Sequence, residues 1–235
     1  MNNHELTRTE WLIGTESLQK LKNSSVAVFG IGGVGSFTVE ALTRSGVGRI
    51  MLVDYDVVDV TNLNRQLQAL QSNIGEPKAQ VMEKRMKQIR PDMQIEVRFE
   101  KYLPDNAETF FATDWDYVVD AMDMVTAKLD LIERCHKRNI PIISSMGAAN
   151  KLSPGNLRIA DLSRTTMCPL AKIVRKELRK RGVEHLKVVY SDEAPQSRYR
   201  PLEAGQTPAS ISFVPSVAGL MLASQVVNDL ISETL

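Results

Sequence analysis

Cysteine is almost absent from this chain of 235 residues, which contains only Cys135 and Cys168. Two cysteines are too few for a disulfide framework, and without a Cys-x-x-Cys pair they do not indicate structural zinc. We therefore expect a reduced, cytoplasmic environment. Cys135 falls on the inner side of a predicted helix and is expected in the core, whereas Cys168, next to Pro169, is expected to be exposed.

Histidine and net charge are also scarce. The three histidines, His4, His136 and His185, are scattered, so the sequence indicates neither a metal cluster nor a Cys–His pair. Lysine and arginine total 29 against 28 for aspartate and glutamate, which leaves a net charge of +1. A surface that binds a polyanion must therefore come from local clusters of charge.

Two basic clusters stand out against this balance. The predicted helix from Lys172 to Arg181 carries Lys172, Arg175, Lys176, Arg179, Lys180 and Arg181 against a single acid, Glu177. A weaker cluster consists of Lys84, Arg85, Lys87 and Arg90. No aromatic residues are interleaved with either one, which favours contact with phosphates over base stacking. Such clusters are also common on solvated helix faces.

Long uninterrupted apolar segments are lacking as well. The longest, from Ile211 to Leu230, is broken by Pro215, Gln225 and Asn228, which favours a buried terminal helix over a membrane span. Residues 1–10 are polar and carry both charge signs, unlike a secretion signal or a transit peptide. We expect no association with a membrane.

The order of apolar patterns predicts the fold class. Strand and helix patterns alternate up to Gly147, which indicates a doubly wound, mostly parallel sheet of the Rossmann-like α/β class. Beyond it, Leu157–Asp161 and Val188–Tyr190 are predicted strands of a C-terminal, partly antiparallel extension. The helix between them is predicted to turn Leu170, Ile173, Val174 and Leu178 inward. The polar stretch from Glu193 to Thr207 is predicted to be a mobile loop, and no function is assigned to residues 193–210.

A glycine motif marks the first turn of this pattern. In Gly30-x-Gly32-Gly33-x-Gly35 the first glycine permits a tight turn, the second lets the backbone approach a phosphate and the last allows close packing of helix on strand. The motif follows a predicted strand and opens a helix. Asp54 ends the next strand, where a carboxylate can accept hydrogen bonds from ribose hydroxyls. We expect a bound adenosine nucleotide; the alternative is a structural turn without a ligand.

Three further residues exceed what a dinucleotide site needs. Arg65 and Lys78 can surround a triphosphate with positive charge, although each alone is also typical of a protein surface. Asp123 follows the fourth predicted strand, at the edge of the sheet where ligands of open α/β folds bind. Its carboxylate can hold a magnesium ion that bridges phosphates, or it can cap the helix that starts near Val125.

Together these motifs resemble the ThiF/MoeB/HesA adenylyltransferases of the ubiquitin-activating superfamily, from about Arg8 to Ala149. In that family a carboxylate attacks the α-phosphate of ATP, which gives an acyl-adenylate and pyrophosphate. The resemblance implies that Asp54 holds the ribose and that Asp123 holds Mg²⁺. It assigns the phosphates to Asn62, Arg65 and Lys78, and it implies a homodimer in which Arg8 reaches the partner's ATP.

Three later blocks, at residues 144–151, 190–193 and 213–220, resemble the branch that acts as tRNA threonylcarbamoyladenosine dehydratases. This resemblance implies adenylation of the carboxylate of the modified tRNA base beside the anticodon, followed by a ring closure that loses water. A nitrogen of the substrate then acts as the nucleophile, so no catalytic cysteine is needed. We expect one adenylating domain over residues 1–235, with a nucleotide-binding part at 1–149 and a substrate and dimer extension at 150–235.

Two other classes of function stay open at this stage. The first is activation of a ubiquitin-like or sulfur-carrier protein through its C-terminal carboxylate, and a sulfur-transfer or carrier protein stays open as a partner. The missing Cys-x-x-Cys pairs disfavour it. The second is an NAD-linked oxidoreductase or a nucleotide sensor, which Arg65, Lys78 and Asp123 disfavour.

Overall fold

The computed structural model describes residues 3–196 and 208–232, so residues 197–207 of the predicted mobile loop lie outside the described residues. The helices are α1 (Thr7–Ile13), α2 (Thr15–Asn23), α3 (Gly35–Ser45), α4 (Lys78–Ile89), α5 (Val125–Lys137), α6 (Pro169–Lys180) and α7 (Phe213–Ile231). The strands are β1 (Ser25–Phe29), β2 (Arg49–Val53), β3 (Gln94–Arg98), β4 (Tyr117–Asp120), β5 (Ile142–Ser145), β6 (Leu157–Asp161) and β7 (Lys187–Ser191).

Within the described residues the strands form a single sheet in the order β3-β2-β1-β4-β5-β7-β6. Strands β1 to β5 are parallel, and β7 continues the parallel part beside β5. Only β6, at the edge, runs antiparallel to its neighbour. The predicted fold class is confirmed, and the C-terminal extension belongs to the same sheet because β7 pairs directly with β5.

Each central strand is buried on both faces, as its continuous apolar sequence indicates. In β1, Val26 and Val28 belong to a core cluster that also contains residues of α2, α3, α4 and α7. Ala27 and Phe29 belong to a cluster with residues of α5. Helix α6 covers the β5–β7 side of the second face through a third cluster. Helices on both faces leave the ends of the strands free to form a site.

Helix α7 is the most apolar helix of the chain. By length and composition alone it would also qualify as a membrane span, a test that the core helix of a globular protein passes as well. Here Val214, Leu222 and Val226 are fully buried, and α7 packs against α3. The hydroxyl of Tyr117 donates to Asp229 at its C-terminal end (2.7 Å). In this fold α7 is therefore a core helix, as the sequence predicted.

Two predictions of side-chain position are wrong. Ile173 is 49% exposed, because the inward stripe of α6 follows Ala171, Val174 and Leu178. Cys168 is only 6% exposed, because it caps α6 and its sulfur accepts a hydrogen bond from the Ala171 N–H (3.5 Å). The predicted burial of the other cysteine, Cys135, is confirmed.

Candidate active site

A cleft of about 800 Å³ opens at the carboxyl ends of β1 and β4. These two neighbouring strands lead in opposite directions, since β1 is followed by β2 on one side and β4 is followed by β5 on the other. Ligands of doubly wound sheets bind at such a switch point. The predicted site residues that line the cleft are Gly30, Gly32, Gly33, Asp54, Asn62, Arg65, Lys78 and Asp123.

Two predicted site residues do not line this cleft. Gly35 lies just behind the glycine turn, where a Cβ atom would be 1.8 Å from the carbonyl oxygen of Gly30. Gly30 itself has a φ of 89°, which favours glycine. Arg8 is exposed on α1, outside the cleft.

The glycine turn leads directly into the N-terminus of α3. This helix begins at Gly35, and its N-cap residue Val34 makes no side-chain capping hydrogen bond. The first N–H groups of a helix have no partner within the helix, and the helix dipole adds a partial positive charge there. The turn and α3 therefore provide a phosphate-binding end to the cleft.

The peptide groups of Ile31 fix this turn in place. Its N–H donates to Oδ2 of Asp54 (2.6 Å), and its carbonyl accepts a hydrogen bond from Nε2 of Gln68 (2.7 Å). The other oxygen of Asp54 accepts from the N–H of Asp56 (2.8 Å). Burial raises the pKa of the Asp54 carboxyl, although these hydrogen bonds and Lys78 oppose that shift. Asp54 thus positions the glycine turn together with Gln68. Neither role could be seen in the sequence.

Lys78 is the first residue of α4 and is only 6% exposed. Its Nζ lies 2.9 Å from Oδ2 of Asp56, whose side chain is about half exposed. The ion pair and the burial of its stem restrain the ammonium group of Lys78 at the wall of the cleft. Such a fixed cation is suited to phosphate charge because little side-chain entropy is lost on binding.

Arg65 and Asn62 come from the turn after β2. Asn62 is buried, and its Oδ1 accepts a hydrogen bond from the Asp59 N–H (3.1 Å), which closes a short 3₁₀ helix. The guanidinium of Arg65 donates to the carbonyl of Thr61 (2.9 Å). The stem of Arg65 packs over the glycine turn, since a Cβ on Gly33 would lie 3.2 Å from its Cγ. The cation of Arg65 is therefore held beside the phosphate-binding end.

Asp123 is exposed at the mouth of the cleft, just before α5. The N-cap residue of α5 is Met124, and it makes no side-chain capping hydrogen bond, so the interpretation of Asp123 as a helix cap is wrong. Within the described residues no group of three or more metal-ligating side chains occurs. One carboxylate still fits Mg²⁺ that arrives with a nucleotide, because phosphates and water supply its other ligands.

A buried ion pair that the sequence analysis missed lies beneath the cleft. Lys128 of α5 donates to Oδ2 of Asp120 (2.6 Å) and to the carbonyl of Ser145 (3.0 Å), and Ser144 Oγ donates to the same Asp120 oxygen (2.6 Å). Both charged side chains are fully buried. The network joins the ends of β4 and β5. Its only sequence signal is a lysine at 128 in the inward stripe with Ile132 and Cys135.

Part of the cleft wall, which we call the second arm, comes from the segments after β5, before α6 and before α7. It consists of residues 145–151 and 168–170 together with Pro195, Pro208 and Ser210. Lys151, another residue that the sequence analysis did not single out, is 4% exposed and donates to the carbonyl of Glu193. Burial lowers the pKa of its ammonium group. This arm provides room for a second reactant beside the phosphates.

The fold and the cleft define a nucleotide-binding α/β protein whose phosphate site contains fixed cations and a free carboxylate. The chain belongs to the ThiF family, whose sequence model matches residues 6–234. The resemblance found in the sequence is thereby confirmed.

Individual relatives and solved structures agree with this family assignment. A tRNA threonylcarbamoyladenosine dehydratase of Bacillus subtilis is 47% identical over 245 residues, which cover 98% of this chain and 96% of the relative. The enzyme of the same name from Escherichia coli is 40% identical over 171 residues, which cover 73% of this chain and 64% of the relative. The crystal structure of the E. coli dehydratase, TcdA, in complex with ATP matches with a TM-score of 0.89 at 33% identity, covering 97% of this chain and 93% of that chain.

The buried ion pair generates a first prediction. Lys128→Met leaves the Asp120 carboxylate buried without a counter-charge, so the free energy of unfolding should fall by about 3–5 kcal/mol in urea denaturation. The double variant Lys128→Met, Asp120→Asn removes both charges and should recover part of that loss. A single variant within about 1 kcal/mol of wild type, as expected for an exposed pair, would contradict this role.

Proposed function

We propose that this protein is an ATP-dependent enzyme that adenylates the carboxylate of threonylcarbamoyladenosine in tRNA and then promotes its cyclising dehydration. The observation that carries the proposal is one continuous cleft, in which a phosphate-binding end adjoins an arm for a second reactant. The 47% identity to the B. subtilis dehydratase over nearly the whole chain supports the choice of substrate. In this proposal residues 1–235 act as one adenylating domain in the cytoplasm.

In the first step a carboxylate oxygen of the substrate attacks the α-phosphorus of ATP, and pyrophosphate leaves. Arg65 and Lys78 offset the charge that develops on the phosphates as the bond breaks. Asp54 holds the ribose while it retains the glycine turn, since the two oxygens of a carboxylate accept about four hydrogen bonds. Asn62 adds a polar contact to the phosphates.

Asp123 would hold the Mg²⁺ ion that accompanies ATP. The ion supplies charge neutralisation on the phosphates when bound. The exposed position of this carboxylate at the cleft mouth, outside any helix cap, supports the assignment.

In the second step a nitrogen of the same substrate attacks the acyl carbon, and AMP leaves with the former carboxylate oxygen. The nitrogen loses its proton, so the substrate loses the elements of one water in total. No enzyme thiol is needed, because a tethered nucleophile has a high effective concentration. Burial raises the pKa of Cys135, so its thiol is protonated and unreactive.

The proposed homodimer rests on α1. This short helix has no buried residue, and its Leu12 is 85% exposed next to Trp11 at 68%. Two large apolar side chains on one exposed helix fit a surface that a second copy covers. Arg8, on the same helix, would then reach the partner's cleft.

The substrate is tested by nucleoside mass spectrometry. Incubation of tRNA that contains threonylcarbamoyladenosine with the protein, ATP and Mg²⁺ should yield the nucleoside that has lost one water. With the α,β-methylene analogue of ATP, which cannot lose pyrophosphate, the nucleoside should remain unchanged. Unchanged tRNA with ATP, together with pyrophosphate exchange that requires a ubiquitin-like carrier protein, would instead support carrier activation.

Lys78 and Lys84 offer a matched pair on α4, since both are paired with a carboxylate but only Lys78 lines the cleft. Lys78→Ala should lower substrate-dependent exchange between ATP and pyrophosphate by about 10²–10³-fold. Lys84→Ala should stay near wild type. The melting temperature should change little in either variant, because Asp56 and Glu76 are both solvated. Equal losses of activity in the two variants would argue against Lys78 as a phosphate ligand.

Arg8 is tested by mixing two inactive variants. If Arg8 acts across a dimer, random reassociation of Arg8→Ala with Lys78→Ala subunits gives one intact site in every mixed dimer, so about a quarter of wild-type activity should return. Each variant alone should stay inactive. No recovery, despite mixed dimers seen by native mass spectrometry, would mean that Arg8 acts within its own subunit or not at all.

A further inference from the structure

We propose that the outer face of α6 is where the tRNA backbone docks, through Lys172, Lys176 and Arg179, which we call the α6 track. This inference rests on the proposed function, because it takes tRNA as the substrate. It adds the surface that binds the tRNA and the kind of contact, which is between basic side chains and backbone phosphates.

The contacts of the six basic residues at 172–181 separate them into two groups. Arg175 donates to the carbonyls of Leu162 (3.1 Å) and Thr165 (3.0 Å), so it fixes the turn before α6. Lys180 pairs with Glu177 (2.7 Å), and Arg181 pairs with Glu133 (2.8 Å). Among the described residues, Lys172, Lys176 and Arg179 have no acidic partner within ion-pair distance. The structure thus reduces the six cations to three that are available to a ligand.

These three cations share one side of α6. A helix advances 100° per residue, so their positions fall within an arc of about 60°, away from the stripe of Ala171, Val174 and Leu178 that packs on the sheet. All three are exposed. With a rise of 1.5 Å per residue, they span about 10 Å along the helix. They form a row of charge that a phosphate backbone can follow.

The track begins at the cleft. Cys168, Pro169 and Leu170, at the start of α6, line the second arm of the cleft, and Lys172 follows within one helical turn. A strand held on the track is therefore directed towards the arm that would take the second reactant. Non-specific phosphate contacts set position and orientation, and the cleft is left to select the modified base.

The other basic cluster of the sequence does not offer such a surface. Lys84 pairs with Glu76 (2.6 Å), and both the Nε and the Nη2 of Arg85 donate to Glu40 (2.8 and 2.9 Å). Lys87 donates to the carbonyls of Pro91 and Met93, and Arg90 is buried. Helix α4 also packs on the opposite face of the sheet from α6. These contacts make this cluster a poorer candidate for a phosphate surface than the outer face of α6.

The test compares two triple variants of the full chain. One is Lys172→Gln, Lys176→Gln, Arg179→Gln; its control, Lys22→Gln, Lys84→Gln, Lys87→Gln, removes the same charge on α2 and α4. Glutamine keeps good helix propensity in both. Binding of tRNA that contains threonylcarbamoyladenosine is measured by fluorescence anisotropy at several salt concentrations, and ATP binding is measured by thermal shift.

For the α6 variant we expect tRNA affinity to fall by at least about tenfold near physiological salt, and the slope of log K against log salt to fall by about 2–3, since each phosphate contact contributes 0.7–0.9. The KM for tRNA should rise while kcat and the ATP-induced shift stay near wild type. The control should match wild type. If wild type dehydrates tRNA but the two variants bind it equally well, the α6 track is wrong and the proposed function stands. If wild type neither binds nor dehydrates tRNA, both the α6 track and the proposed function are wrong.

Discussion

The hydrogen bonds to the backbone of Ile31 fix the geometry of the phosphate-binding end of the cleft. Asp54 holds its N–H from the end of β2, and Gln68 holds its carbonyl from the segment before α4. The glycine turn thus cannot shift without disturbing both segments. Arg65 lies in the same segment as Gln68, and Lys78 pairs with Asp56, two residues after Asp54, so the position of the phosphate-binding end and the positions of its cations are coupled. A pre-formed anion site of this kind loses little entropy when a nucleotide binds.

The fold and the nucleotide end of the cleft could be predicted because their signals are local. Apolar runs of strand length, helices between them and the spacing of Gly30 to Gly35 all depend on neighbouring residues. The network of Lys128 and Asp120 could not be predicted, because a lysine in an inward stripe acquires meaning only when β4 and β5 lie side by side. The burial of Lys151 could not be predicted for the same reason, since it depends on a contact with the backbone at Glu193, forty-two residues away.

The basic clusters show the limit of reading charge from sequence. Segments 84–90 and 172–181 have similar composition, yet the first uses its cations to bind Glu40, Glu76 and nearby carbonyls. Lys84 and Arg85 each face an acid, so the local net positive charge that a polyanion would meet on this helix is reduced. Contacts, and not the number of charges, thus identify the surface of α6 as the better candidate for a polyanion.

The burial of both cysteines gains a physical meaning from the geometry of the cleft. An acyl-adenylate is a mixed carboxylic–phosphoric anhydride, and transfer of its acyl group to a separate partner requires a nucleophile that competes with water. Cys135 is buried beneath the sheet, and Cys168, although it lines the second arm, is only 6% exposed and caps α6 with its sulfur. A substrate that carries its own nitrogen nucleophile needs only to be held in a reactive conformation, because proximity alone supplies a large rate advantage. The second arm, walled by the small residues Gly147, Ala148 and Ala149, fits this requirement, since it lets a folded-back substrate approach the backbone closely. The burial of both cysteine thiols and the space in the second arm therefore favour the same kind of reaction, one in which the substrate closes on itself.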